Sequence, residues 1–236
     1  MESQREPRGQ RLYPRRDTRL YWHLTCIRRV LEAVIAKYVE GKSYQTLLDF
    51  GCGNMPYRPL FEPHVAEYIG CDLPGNKLAA IQISDRDGLT VEDGQADIVL
   101  SSQVLEHVAD PAAYLAECHR VLNPAGLLVL STHGAWKYHP DPADYWRWTS
   151  AGLQKTITEN GFRILQVEGV MGPAATALQL WQDAVLPTLP RLPRPWFIRW
   201  MQWRIQRADE KCSEESRNRD ACVYMVVARP RKASNR

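Results

Sequence analysis

Leu47-Leu48-Asp49-Phe50-Gly51-Cys52-Gly53-Asn54 is the stretch that decides the fold. A short apolar run ends in an acid and opens into two glycines spaced by one residue, the order expected of a buried strand emptying into a tight loop. Glycine accepts positive φ and, having no Cβ, lets a ligand come within reach of main-chain N–H groups. The loop either receives a cofactor or merely turns the chain from strand to helix. A second apolar run, Tyr68-Ile69-Gly70-Cys71-Asp72-Leu73, favours the cofactor. It ends in Asp72 about 20 residues after the glycines, the spacing at which a neighbouring strand tip presents a carboxylate to ribose hydroxyls.

The dinucleotide pattern G-x-G-x-x-G fails here, because Pro56 stands where its third glycine belongs. Asp49 to Gly53 instead resembles motif I of the class I S-adenosylmethionine-dependent methyltransferases, acid-x-Gly-x-Gly-x-Gly, with Met55 at the third glycine. The continuation Pro56-Tyr57-Arg58 resembles one branch of that superfamily, and Arg120-Val121-Leu122-Asn123-Pro124-Ala125-Gly126 looks like its Arg-Val-Leu-x-Pro-x-Gly. Ser102-Gln103-Val104-Leu105-Glu106-His107-Val108 resembles the stretch that turns under the cofactor's methionine end. The resemblance is to the type 11-like small-molecule branch and spans about residues 45–170. It implies S-adenosylmethionine as cofactor. It also implies a site drawn from Asp49, Gly51, Cys52 and Gly53 in the loop, Asp72 and Leu73 at the second strand tip, Asp85 toward the adenine amino group, and Ser102 and Gln103. This cofactor carries no phosphate and is cationic at its methionine end, so an acid before the loop suits it better than a bare helix N-terminus.

Outward from the loop, Leu20, Leu24, Ile27, Leu31, Val34, Ile35 and Tyr38 have the spacing of an amphipathic helix that Gly41 stops. Ile81-Gln82-Ile83 reads as a weak strand and Asp97 to Ser101 as a buried one. Asp110-Pro111 reads as an N-cap followed by proline at the first helical position. That helix ends at Asn123 to Gly126, and strands are expected over 127–131, 163–170 and 222–228, with a helix over 151–160. Strands alternating with helices predict an α/β, Rossmann-like doubly wound sheet. The resemblance implies that it is mostly parallel with an antiparallel last strand, preceded here by a helical insertion. The expected organisation is a flexible basic arm (1–18), the methyltransferase domain (19–172 and 221–230) and the insertion (173–220).

The chain has 236 residues, 44% of them apolar and 24% charged, which suits one soluble domain with an appendage. A net charge of +3 does not point to nucleic acid, and no such partner is expected. The six cysteines show no C-x-x-C pair and no metal-ligand spacing, so a reducing compartment and no metal site are expected. With no secretory signal and no run of about 18 apolar residues, the expected location is cytoplasmic.

The acceptor is expected over the loop Thr132 to Thr149, which carries aromatics, histidines and prolines in place of an apolar period. Methyl transfer from a sulfonium is an in-line displacement, and a base is needed only when the nucleophile carries a proton. His139, His133 and His107 are the candidates, in that order, each with a structural hydrogen-bonding role as the alternative. Within the insertion, Trp196, Trp200 and Trp203 recur at helical spacing among arginines. A lid over the acceptor is favoured slightly over a membrane-surface contact. The expected function is S-adenosylmethionine-dependent methyl transfer to a small-molecule or lipid-linked acceptor, at oxygen. An RNA or protein methyltransferase is one alternative, and a non-catalytic cofactor-binding scaffold protein is another. The oligomeric state is left open.

Overall fold

Leu47 and Leu48 are adjacent in the chain and belong to different hydrophobic cores. In the computed structural model, which describes residues 8–83 and 90–231, they lie on strand β1 (Tyr44–Phe50), whose pleat sends one to each face of a sheet. Neighbouring strands repeat the pattern, Ile98 and Val99 on one, Leu127 and Leu128 on another. Such two-sided apolar runs require cover on both faces, as in doubly wound folds.

Among the described residues, seven strands form one sheet in the order β3-β2-β1-β4-β5-β7-β6. They are β1, β2 (Val65–Asp72), β3 (Ile81–Gln82), β4 (Ala96–Ser102), β5 (Leu122–His133), β6 (Phe162–Val170) and β7 (Val223–Pro230). β1 to β5 are parallel, and β7 runs antiparallel between β5 and β6, as expected. The strand order reverses between β1 and β4, so the crevice beyond their carboxyl ends is the switch point at which such sheets bind ligands. Asp49 lies beside Gly70 on one side and Leu100 on the other, one residue short of the end of β1.

One face is covered by α2 (Tyr21–Tyr38), whose Ile27, Leu31 and Val34 are buried, and by the short α3 (Arg58–Phe61) with its buried Phe61, and the other by α4 (Pro111–Val121) and α5 (Ser150–Glu159). Asp110 caps α4 as the sequence implies, its Oδ1 accepting from the Ala112 and Ala113 N–H groups at 3.0 Å. Such a cap is worth about 1 kcal/mol. β5 starts earlier than expected. Leu122 already pairs with Ala96, and Asn123 to Gly126 bulge out before Leu127 pairs with Ile98. Asn123 holds the bulge, donating to Asp97 Oδ1 at 2.6 Å and accepting from the Ala125 N–H at 2.9 Å.

The arm departs from expectation within its described part. Residues Arg8–Leu12 form α1, and Leu12 is 2% exposed in the core beside α2. A single apolar side chain among arginines gave no periodic signal, which is why the segment reads as unpacked.

The insertion is helical: α6 (Pro173–Val185), α7 (Arg194–Glu210) and α8 (Glu214–Arg219). The face of α7 turned inward is Met201, Gln202, Ile205 and Asp209. Trp196, Trp200 and Trp203 remain 76%, 49% and 53% exposed, so the tryptophan stripe is not the packed face that a lid closing on the core would require. Polar bonds explain the choice. Gln202 accepts from the Trp22 N–H (2.8 Å) and donates to the Arg19 carbonyl (2.8 Å). Asp209 accepts from Trp22 Nε1 (2.9 Å) and the Gly172 N–H (2.8 Å). Among the described residues no helix is long and apolar enough to cross a membrane.

Candidate functional site

After β1 the backbone passes through positive φ three times, at Gly51 (66°), Gly53 (54°) and Met55 (52°). Gly51 has no room for a side chain, since a Cβ there would sit 2.6 Å from Val104 Cγ2. Met55 adopts the left-handed conformation of the glycine it replaces, at a cost of about 1–2 kcal/mol. Its buried side chain is accommodated because Gly70 opposite is bare; a Cβ at Gly70 would lie 3.0 Å from Met55 Sδ and 2.9 Å from Cys52 Sγ. The turn the motif requires is therefore made without its third glycine.

Two acids flank this loop. Asp72, at the end of β2, accepts through Oδ2 from the Gly53 N–H (2.9 Å) and Asn76 Nδ2 (2.6 Å), and through Oδ1 from the Leu73 N–H (2.8 Å). Strand tip and glycine loop are thus one unit, with the Leu73 side chain exposed beside it. Asp49 is buried and accepts from the Tyr68 hydroxyl at 2.6 Å. Burial pushes its carboxyl up to about 7, with the Tyr68 bond opposing and the charge of Asp72 adding to the rise. Asp85 lies outside the described residues.

At the end of β4 the chain turns through Gln103, again at positive φ (57°). Its N–H donates to the Ser131 carbonyl (2.8 Å), while Ser102 and Ser131 hydroxyls pair at 3.3 Å. Arg11, from the arm, donates to Gln103 Oε1 at 2.7 Å.

Next to Gln103 the three histidines named from sequence come together. His133, the last residue of β5, has its ring 4.9 Å from that of His139, which in turn lies 4.9 Å from His107. Trp136 stacks flat on His133 (5.3 Å, 1°), and His23 from α2 stacks on Trp136 (4.9 Å). His133 Nε2 is 3.4 Å from Gln103 Nε2 and 3.5 Å from Glu106 Oε1. Glu106 is buried; its Oε2 accepts from the Thr132 hydroxyl at 2.7 Å, while its Oε1 and His133 Nδ1 have no hydrogen-bond partner among the described residues. Burial drives the His133 ring well below its ordinary pKa and, with His107 nearby, lowers His139. Burial also raises the Glu106 carboxyl, against its hydrogen bonds.

The loop that carries His139 is strapped down rather than free. Arg147 donates to both oxygens of Asp144 at 2.6 Å and to the carbonyls of Trp136 (3.0 Å) and Lys137 (2.6 Å). Although burial pushes the Asp144 carboxyl up, the Arg147 fork and the His139 N–H outweigh it and hold it at about 2. The Tyr145 and Trp146 N–H groups donate to the Glu106 carbonyl (2.8 and 3.2 Å), and His107 Nδ1 bonds the Ala143 carbonyl, so this loop and the turn after β4 form one wall. Thr149 caps α5 through the Gly152 N–H (3.1 Å).

Sequence reasoning missed Glu106, His23, Trp136 and Asn76 as members of this neighbourhood. Glu106 precedes His107 and Trp136 lies in the Thr132 to Thr149 loop, both in stretches already singled out, and both were legible from that; His23 and Asn76 are joined only by the fold.

Residues 21–213 match a family model described as a methyltransferase domain, well over half of the chain. The chain belongs to the class I S-adenosylmethionine-dependent methyltransferases. The cofactor of this family is S-adenosylmethionine. The methyltransferase is similar to a ubiquinone biosynthesis O-methyltransferase of Cereibacter sphaeroides, 39% identical over 102 residues, 36% of this chain and 40% of that protein. The chain thus spans less than half the length of the first such relatives. A probable S-adenosylmethionine-dependent methyltransferase of Mycolicibacterium smegmatis is 26% identical over 184 residues, 72% of this chain and 70% of that protein. Among solved structures, a methyltransferase of Mesorhizobium loti superposes with a TM-score of 0.53 at 19% identity, covering 84% of this chain and 95% of the other. The 4+2 cyclase SpnF reaches 0.57 at 16% identity, covering 89% of this chain and 82% of the other. The likeness to these two is one of fold, and a fold shared with a cyclase does not set the chemistry.

Proposed function

We propose that this methyltransferase moves the methyl group of S-adenosylmethionine to an oxygen of a small or lipid-linked acceptor held over the ends of β4 and β5. The observation that carries this reading is the histidine and glutamate cluster beside Gln103. In this reading Asp49, Gly51, Cys52, Gly53, Asp72, Leu73, Ser102 and Gln103 hold the cofactor, and the wall containing His139, His133 and His107 faces the acceptor. An oxygen acceptor carries a proton that must leave, and polar groups converging where the methyl end belongs are suited to that task. His139 is more reachable by an acceptor than His133, because its side chain is 31% exposed while that of His133 is 3% exposed. The partial similarity to ubiquinone biosynthesis O-methyltransferases supports oxygen as the target.

A lipid-linked acceptor is favoured by the uncovered Trp196, Trp200 and Trp203, with Arg199 and Arg204 on the same helix. Indoles beside guanidinium groups suit an interface with anionic lipid. The test is methyl transfer from labelled cofactor into the water-soluble and lipid fractions of a cell extract. Label in a small or lipid molecule supports the reading. Label in RNA or protein, or none from a chain that binds cofactor, replaces it with the corresponding alternative. Sedimentation with anionic vesicles checks the lipid branch: binding should disappear when the three tryptophans are changed to serine.

A further inference from the structure

Three side chains that bind metals well, Glu106, His133 and His139, present ligand atoms that all lie within 4.8 Å of one another. Nothing in their spacing of 27 and 6 residues along the chain would suggest it. We infer that Glu106, His133 and His139 form a binding site for a divalent transition-metal ion of the Zn2+ type, at the acceptor end of the crevice.

The geometry favours an ion over an ordinary hydrogen bond. Glu106 Oε1 and His133 Nε2 are 3.5 Å apart, too long for a good O···N hydrogen bond. Two ligands on one tetrahedral ion, each about 2.0–2.2 Å from it, stand roughly 3.3–3.6 Å apart. Glu106 Oε1 is buried with no hydrogen-bond partner among the described residues, a costly state for an acceptor, and a cation would satisfy it. The groups behind the ligands are those that metal sites use. Thr132 holds the other oxygen of Glu106, and the Asp144 carboxylate stands 3.4 Å from His139 Nδ1, which orients that ring. Trp136 stacked on His133 fixes the second ring. Arg147, 3.4 Å from His139 Nδ1, is neutralised by its fork on Asp144, and Gln103 spends its Oε1 on Arg11 while its Nε2 faces His133 Nε2 at the long distance of 3.4 Å.

Two imidazoles and one carboxylate select a borderline ion such as Zn2+ rather than Mg2+, which prefers oxygen ligands throughout. Three protein ligands leave a position open. Resting on the proposed methyl transfer, that position takes the acceptor hydroxyl. There the ion would lower the pKa of the acceptor hydroxyl, which would lose its proton to solvent as its electron pair forms the new O–CH3 bond and the C–S bond breaks with its pair returning to sulfur.

The full chain, freed of metal with EDTA and of any affinity tag, is titrated with Co2+ while the visible absorption of the bound ion is read, and then with Zn2+ in competition. One ion per chain is expected. His139→Ala and Glu106→Gln should each weaken Co2+ binding by at least about 100-fold, and Thr132→Val by about 10–100-fold. His139 lies on a surface loop, so its variant carries the test even where the buried Glu106 variant fails to fold. Absence of a one-to-one site, or Co2+ affinity unchanged in His139→Ala, overturns the inference. S-adenosylmethionine titration of the same protein in EDTA reads the methyltransferase assignment separately, so either can fail without the other.

Discussion

Met55 shows that a motif is a backbone conformation before it is a set of letters. Its φ of 52° continues the turn begun at Gly51 and Gly53, and bare Gly70 makes room for its side chain. Gly51 has no such freedom. Gly51→Ala places a methyl 2.6 Å from Val104 at a φ of 66°, and should cost roughly 1–3 kcal/mol of stability, measured by urea unfolding. Asp49 would give the proposed cofactor site a pH dependence. Held at about 7 by burial, it is largely protonated in slightly acid solution. A cationic ligand beside the loop favours the carboxylate, so binding expels a proton and tightens as pH rises toward 7. Affinity for S-adenosylmethionine, measured by calorimetry from about pH 5.5 to 7, should rise by up to roughly tenfold per unit, and Asp49→Asn should flatten the profile. The unliganded fold responds oppositely. The folded-state value lies above the ordinary 3.8, so the stability Asp49 contributes is complete below about 4 and is lost as pH rises through about 7.

α7 illustrates where an element is legible and where it is not. Its existence and its start near Pro195 follow from the helical spacing of the tryptophans, but its orientation does not. The largest apolar side chains, Trp196, Trp200 and Trp203, suggest one face as buried, whereas Gln202 and Asp209 pull the other face inward through bonds to Trp22, Arg19 and Gly172. Those partners lie up to 187 residues away, and no local pattern encodes them. Asp209→Ala would leave the Trp22 indole N–H and the Gly172 N–H unsatisfied, for a loss of about 2–4 kcal/mol in chemical unfolding. The strands around the glycine loop were readable for the opposite reason. Each is a short apolar run, buried on both faces, ending in a residue whose role is local. The Asn123 to Gly126 bulge escaped notice because helix end, turn and strand start share the same few residues.

Across the molecule, the ends of β1, β2, β4 and β5 collect the groups that sequence had scattered over about ninety positions. The groups proposed to hold the cofactor stand on β1, β2 and β4, and the histidine wall follows β4 and β5. The insertion is coupled to that wall. Gln202 fixes the backbone of Trp22, the next residue His23 stacks on Trp136, and Trp136 stacks on His133. The position of each base candidate was legible; their meeting with Glu106 was not, because it depends on Tyr145 and Trp146 bonding back to the Glu106 carbonyl. All of this rests on the crevice at the strand ends being the S-adenosylmethionine site, with Asp72 at its centre. Calorimetric titration of the chain and of Asp72→Ala with S-adenosylmethionine tests that directly. One molecule should bind per chain, and Asp72→Ala should weaken binding by about 1–3 kcal/mol, the range for a lost charge-assisted hydrogen-bonding group. Absence of saturable binding, or equal affinity in the folded Asp72→Ala variant, would contradict it.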